Sequence, residues 1–142
     1  MKTRTKARGI ALQSLYEFDL TGHPAALILE QRKQEDPLDP ELQKFVDEIV
    51  LGIIPHIEKI DLLIAKHAPE WPLDQVASID RNIIRIAFWE IAIKKCTPVK
   101  VAINEAVEVS KIFGSDASPR FVNGVLGSLV AQQAEYQHIF EG

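Results

Sequence analysis

Cysteine is almost absent from this chain, with one in 142 residues, Cys96. A single thiol excludes an intrachain disulfide framework and a multi-cysteine zinc site, and it is expected to serve as a small packing residue. Long apolar runs are missing too: Ile91-Ala92-Ile93 and the stretch from Ile49 to Ile54 fall far short of the roughly 20 residues that cross a bilayer. The opening MKTRTKARGIALQSLYEFDL is basic, but Gln13, Glu17 and Asp19 interrupt the stretch where a secretory signal needs an apolar block. A cytoplasmic location, away from membranes, is the expectation.

Signatures of chemistry are equally scarce. The four histidines, at 23, 56, 67 and 138, fall in different segments, and no two share the i, i+4 spacing that places metal ligands on one helical face. No GxxxxGK[ST], GxGxxG or GxSxG occurs, so phosphate-loop, dinucleotide and nucleophile-elbow chemistry have no support. No metal or cofactor is expected, and no enzyme activity.

What is present is enough apolar material for a core, with 46% hydrophobic and 25% charged residues, in a length typical of one domain. The charge is uneven. Lys2, Arg4, Lys6 and Arg8 precede the first acid, Glu17, and leave a remainder of 12 basic and 20 acidic side chains, a balance of -8 within a formal total of -4. Residues 1–8 therefore read as a basic N-terminal arm on a single domain spanning 1–142, and short basic arms grip phosphates.

Periodicity is helical throughout. Ala7, Ala11, Ser14, Leu15 and Phe18 form a stripe at spacings of three and four, which predicts a helix from about Thr5 to Leu20, ended by Thr21-Gly22-His23-Pro24. A more polar helix follows from Ala25 to about Glu35. Asp39-Pro40-Glu41 reads as an N-cap, a proline at the first position and an early acid, opening a helix to about His67 that Pro55 should kink. Pro69-Glu70-Trp71-Pro72 predicts a rigid corner leading into a short turn, Leu73 to Ala77. Ser78 is expected to cap a helix to about Lys95, apolar on nearly every face and so central to a bundle. Its Arg81, Arg85 and Glu90 must be paired if buried, and such groups are more often architectural than catalytic. Thr97-Pro98 starts one more helix and Ser118-Pro119, a cap followed by a proline, opens the last, with Gly114 as a C-cap between them and an end near Tyr136. No segment alternates like a strand, which makes the fold all-α with about seven helices.

Two surface features complement the arm. Tyr16 lies off the core stripe of its helix, on the side of Leu12 and Thr5, where it either packs on a neighbour or meets a partner. Arg120, Phe121 and Asn123 follow the polar loop Gly114-Ser115-Asp116-Ala117. A guanidinium, a ring and an amide at one helix N-terminus suit a phosphate and a base, although Phe121 also suits the core.

ALQSLYEFDL, WPLDQVASIDRNIIRIAFWEI and TPVKVAINEAVEVSKIFGSDASPRFVNGVLG, in that order, resemble the NusB family of bacterial transcription antitermination factors over nearly the whole chain. The NEA tripeptide, the FG that ends its helix and FVNGVL after a short loop are the specific marks. The resemblance implies two small packed helical bundles without catalysis. It implies binding of box A RNA together with NusE, a small-subunit ribosomal protein, in complexes that reach other antitermination factors and RNA polymerase indirectly and favour ribosomal RNA synthesis. It places RNA on Lys2, Arg4, Lys6, Arg8, Arg120, Phe121 and Asn123, and NusE on Tyr16 and Asp80. Asp80 is shorter than the glutamate familiar there, and the arm has two lysines where relatives carry more arginine. Two other readings stay open: the NusB-like N-terminal domain of a ribosomal RNA cytosine methyltransferase, and a helical adaptor that binds protein without RNA, with a homodimer formed through exposed apolar surface.

Overall fold

The computed structural model describes residues 2–68, 76–133 and 137–140. The expected corner at Pro69–Pro72, most of the turn after it, and the end of the last helix at Tyr136 lie outside them. Among the described residues there are seven α-helices and no strand: α1 (Thr3–Thr21), α2 (Ala25–Glu35), α3 (Pro40–Ile53), α4 (Ile57–His67), α5 (Ser78–Phe88), α6 (Val99–Phe113) and α7 (Ser118–Ala131). They form two small bundles. α1, α2 and α3 pack together, α4 to α7 form the second group, and α1 crosses between them by packing on both α5 and α6.

Local sequence accounts for most boundaries. α1 ends where Gly22 takes the left-handed conformation (φ 70) and returns its N–H to the Phe18 carbonyl at 2.9 Å, a backbone that residues with a Cβ adopt at a penalty. Pro40 opens α3 behind Asp39. The predicted kink is a 3-10 turn, Ile54–His56, that separates α3 from α4 at Pro55. The stripe Phe45, Ile49, Ile53, Ile60, Leu63, Ile64 continues buried across it. α5 is buried continuously from Asn82 to Phe88, the central position its all-round apolarity required.

Four local expectations are corrected. Ser78 and Ser118 are the first residues of their helices rather than caps; Ser118 instead accepts a hydrogen bond from the Ser115 N–H at 2.9 Å, inside the preceding loop. Gly114 is the C-cap of α6, as expected, in an extended conformation with its N–H returned to the Ser110 carbonyl at 2.9 Å. α5 passes at Trp89 into a π-helical turn, Trp89–Ile93. Cys96, just beyond that turn, is exposed and packs in no core.

Candidate nucleic-acid and partner interface

The basic segment is helical rather than a free arm, since α1 begins at Thr3. Its residues then divide by helical phase. Lys2, Arg4 and Lys6 are exposed; Arg4 lies over the Phe45 ring with its guanidinium carbon 4.5 Å from the centroid, and Lys6 pairs with Asp36, the residue after α2, at 3.1 Å. Arg8 is a correction. It is only 4% exposed, and its Nε and Nη2 donate to the two carboxylate oxygens of Glu90 at 2.9 and 2.7 Å. Nη1 approaches Glu105 at 3.3 Å. Burial draws the Arg8 pKa down, and the hydrogen bonds and charges of Glu90 and Glu105 more than reverse this, so the net shift is upward and the side chain stays cationic. The expectation of four phosphate-binding cations thus becomes three exposed ones and one committed to the interior.

α1 also approaches α6 closely. A Cβ on Gly9 would stand 2.9 Å from the Phe113 ring, so glycine is what lets the two helices meet there. Phe113 is the last residue of α6, and the loop to α7 starts at once. Arg120 and Asn123 are exposed in the opening turns of α7, whereas Phe121 is half-buried, packed against the core. The α7 N-terminus adds the partial positive charge of its helix dipole.

Farther along α1 the surface changes character. Tyr16 is 38% exposed, and Leu20, one turn on, is 71% exposed. Thr5 and Leu12, expected on the same side as Tyr16, are buried instead, because α1 is enclosed on more faces in its first half. Asp80 stands in the first turn of α5, 8% exposed. Its Oδ1 is buried and has no hydrogen-bond partner among the described residues. α1 and α5 are joined beside these residues by a second buried arginine. Arg85 donates from Nε and Nη2 to Asp61 at 2.8 and 2.6 Å, and from Nη1 to Asp19 at 2.7 Å and to Asn82 at 2.8 Å. Asn82 in turn donates to Asp19 at 3.0 Å. The Arg85 pKa is also raised, with burial again outweighed by the hydrogen bonds and charges of Asp61 and Asp19. Arg85 and Glu90 are therefore architectural, as expected, but in two separate networks rather than one.

Among the described residues no group of histidine, cysteine and carboxylate side chains could hold a metal, and no helix is long and apolar enough to cross a membrane. A body of two packed helical bundles, with exposed cations at one helix N-terminus, a polar helix N-terminus and an aromatic-apolar strip, defines a class of small all-α proteins. The NusB family model matches residues 5–131, and the chain belongs to the NusB family. It is 45% identical over 134 residues to the transcription antitermination protein NusB of Roseiflexus castenholzii, across 93% of this chain and 94% of that one. It is 40% identical over 129 residues to the protein of the same name from Bacillus subtilis, across 91% and 95%. Its fold matches T. maritima NusB with a TM-score of 0.84 at 29% identity, over 98% and 99% of the two chains. It also matches a chain in the crystal structure of the antitermination factors NusB and NusE in complex with dsRNA, with a TM-score of 0.82 at 25% identity over 92% and 98%.

Proposed function

We propose that this chain is an RNA-binding transcription antitermination factor that binds box A RNA together with NusE, promotes ribosomal RNA transcription, and catalyses no reaction. The observation that carries this is the likeness, over nearly the full length of both chains, to a protein crystallised with NusE and RNA. RNA lies along Lys2, Arg4 and Lys6 and reaches Arg120, Phe121 and Asn123. Lysine and arginine neutralise phosphates, and an aromatic ring at a helix N-terminus stacks on an unpaired base. NusE docks beside Tyr16, Leu20 and Asp80, on the second half of α1 and the start of α5.

Charge makes the partner necessary. With Arg8 neutralised internally, three exposed cations of the N-terminal segment and Arg120 work against an acidic body, and a polyanion gains little beyond the Debye length of about 8 Å. Binding of RNA alone is weak, and a basic partner that adds phosphate contacts tightens it. Linkage then requires RNA to tighten partner binding by the same factor. Calorimetric titration around the four-sided cycle of chain, RNA and NusE tests this. The expected result is coupling of about 1 to 3 kcal/mol, equal along both routes; RNA affinity that ignores NusE contradicts the reading.

A further inference from the structure

Among the described residues nothing local holds the start of α1. Its N-cap, Lys2, makes no side-chain capping hydrogen bond, and its first turn contains no acid, so by itself this turn should fray. The ties are tertiary. Thr5 Oγ1 donates to Glu105 at 2.8 Å, Arg8 is gripped by Glu90, and the guanidinium carbons of Arg4 and Arg8 lie 4.5 and 5.3 Å from the centroid of one ring, Phe45.

Glu90 owes its position to the wide turn at the end of α5. The Lys94 N–H donates to the Trp89 carbonyl at 2.8 Å and the Cys96 N–H to the Glu90 carbonyl at 3.0 Å, five and six residues back where an α-helix would use four. Lys95 then turns the chain with φ 57, an uncommon conformation for a residue with a Cβ. The turn brings Thr97 back, and its Oγ1 donates to Glu90 Oε1 at 2.7 Å. The carboxylate, 1% exposed, is thus held by Thr97 and Arg8 together, which share Oε1.

We propose that Glu90, presented by this π turn, is a positioning residue for nucleic-acid binding: through Arg8 and the Phe45 ring it sets the opening turns of α1 and so the places of Lys2, Arg4 and Lys6. The proposal rests on the RNA-binding reading above. Arg8 then serves RNA through the fold and touches no phosphate. The physical benefit is preorganisation, because cations on a frayed turn must be ordered when they bind and cations on a braced one are ordered already.

The electrostatic and the positioning roles have opposite signs, which makes the proposal testable. Removing a carboxylate near a polyanion site should by charge alone strengthen binding. Glu90→Gln should instead weaken binding of a single-stranded box A oligonucleotide roughly tenfold, the scale of one lost hydrogen bond to a charged group. Arg8→Lys, which keeps the charge but loses the two-pronged grip, should do the same. Both should speed amide exchange at residues 3–8 and leave NusE affinity unchanged. Thr97→Val, a milder change at the edge of the network, covers the case in which Glu90→Gln does not fold; it should shift RNA affinity and exchange in the same direction by a smaller factor. RNA binding by Glu90→Gln, or by Thr97→Val, that equals or exceeds wild type overturns the positioning role. A wild-type chain that binds no RNA with or without NusE overturns the functional reading itself.

Discussion

Replacing Arg85 by methionine should remove a large share of the stability of this fold, and the structure sets the size. Arg85 is 2% exposed and makes four hydrogen bonds, two to Asp61, one to Asp19 and one to Asn82. Methionine fills much of the volume but strands both carboxylates. Breaking a buried charge pair from one side typically costs about 3 to 5 kcal/mol. The Asp61 and Asp19 side chains retain 16% and 19% exposure, so water recovers part of their solvation and about 3 kcal/mol is the figure to expect. With a urea m-value of about 2 kcal/mol/M for a chain of this size, the unfolding midpoint should fall by about 1.5 M. Adding Asp61→Leu removes one stranded carboxylate, and the double variant should be less destabilised than the sum of the singles, by about 1 kcal/mol or more. A midpoint unchanged by Arg85→Met, or strict additivity in the double variant, would refute a network that binds α1, α4 and α5 by charge.

Replacing Lys2, Arg4 and Lys6 together by alanine should reduce the slope of log K against log salt by roughly 2, from about 0.7 per contact on a single strand; salt titrations that superpose on wild type exclude this segment from the interface. Phe121→Ala should weaken RNA binding by about 1 to 3 kcal/mol if the half-buried ring also stacks on a base, whereas lower thermal stability with intact affinity returns the ring to the core. Asp80→Lys should weaken NusE binding and the cooperative part of RNA binding while leaving the weak binary RNA affinity in place, a split read by titrating each ligand at fixed salt. Gly9→Val drives a side chain into the Phe113 ring and should lower stability by about 1 to 3 kcal/mol in a melting experiment; wild-type stability would mean that α1 and α6 yield freely there.

Features carried by neighbouring residues were legible before the structure. Asp39-Pro40, Pro55 and Gly22 act on their own backbone, and the apolar wrap of α5 states its own burial. The π turn was not, because bonds five and six residues back leave no mark in a run such as Trp89 to Ile93 that would serve an α-helix equally well. The caps at Ser78 and Ser118 slipped by one residue because a hydroxyl is free to serve a loop, as Ser118 does for Ser115. At the candidate interface, Arg4 and Arg8 are chemically identical, and what separates them is a carboxylate 82 positions away. One signal did exist. Arg8, Leu12 and Leu15 follow the i, i+4, i+7 pattern of a buried face, and an arginine on such a face calls for an acid inside.

The proposed arrangement lays RNA across the N-terminal ends of α1 and α7 and seats NusE on the second half of α1 and the start of α5. Backbone amide chemical shifts, followed while a box A strand is titrated into the chain saturated with NusE, test it most directly. RNA-induced shifts should concentrate at residues 2–6 and 120–123, in a region separate from the shifts that NusE itself induces around Tyr16, Leu20 and Asp80. RNA-induced shifts centred elsewhere, or at Tyr16 and Asp80 with none at Lys2, Arg4, Lys6 and Arg120, would contradict it.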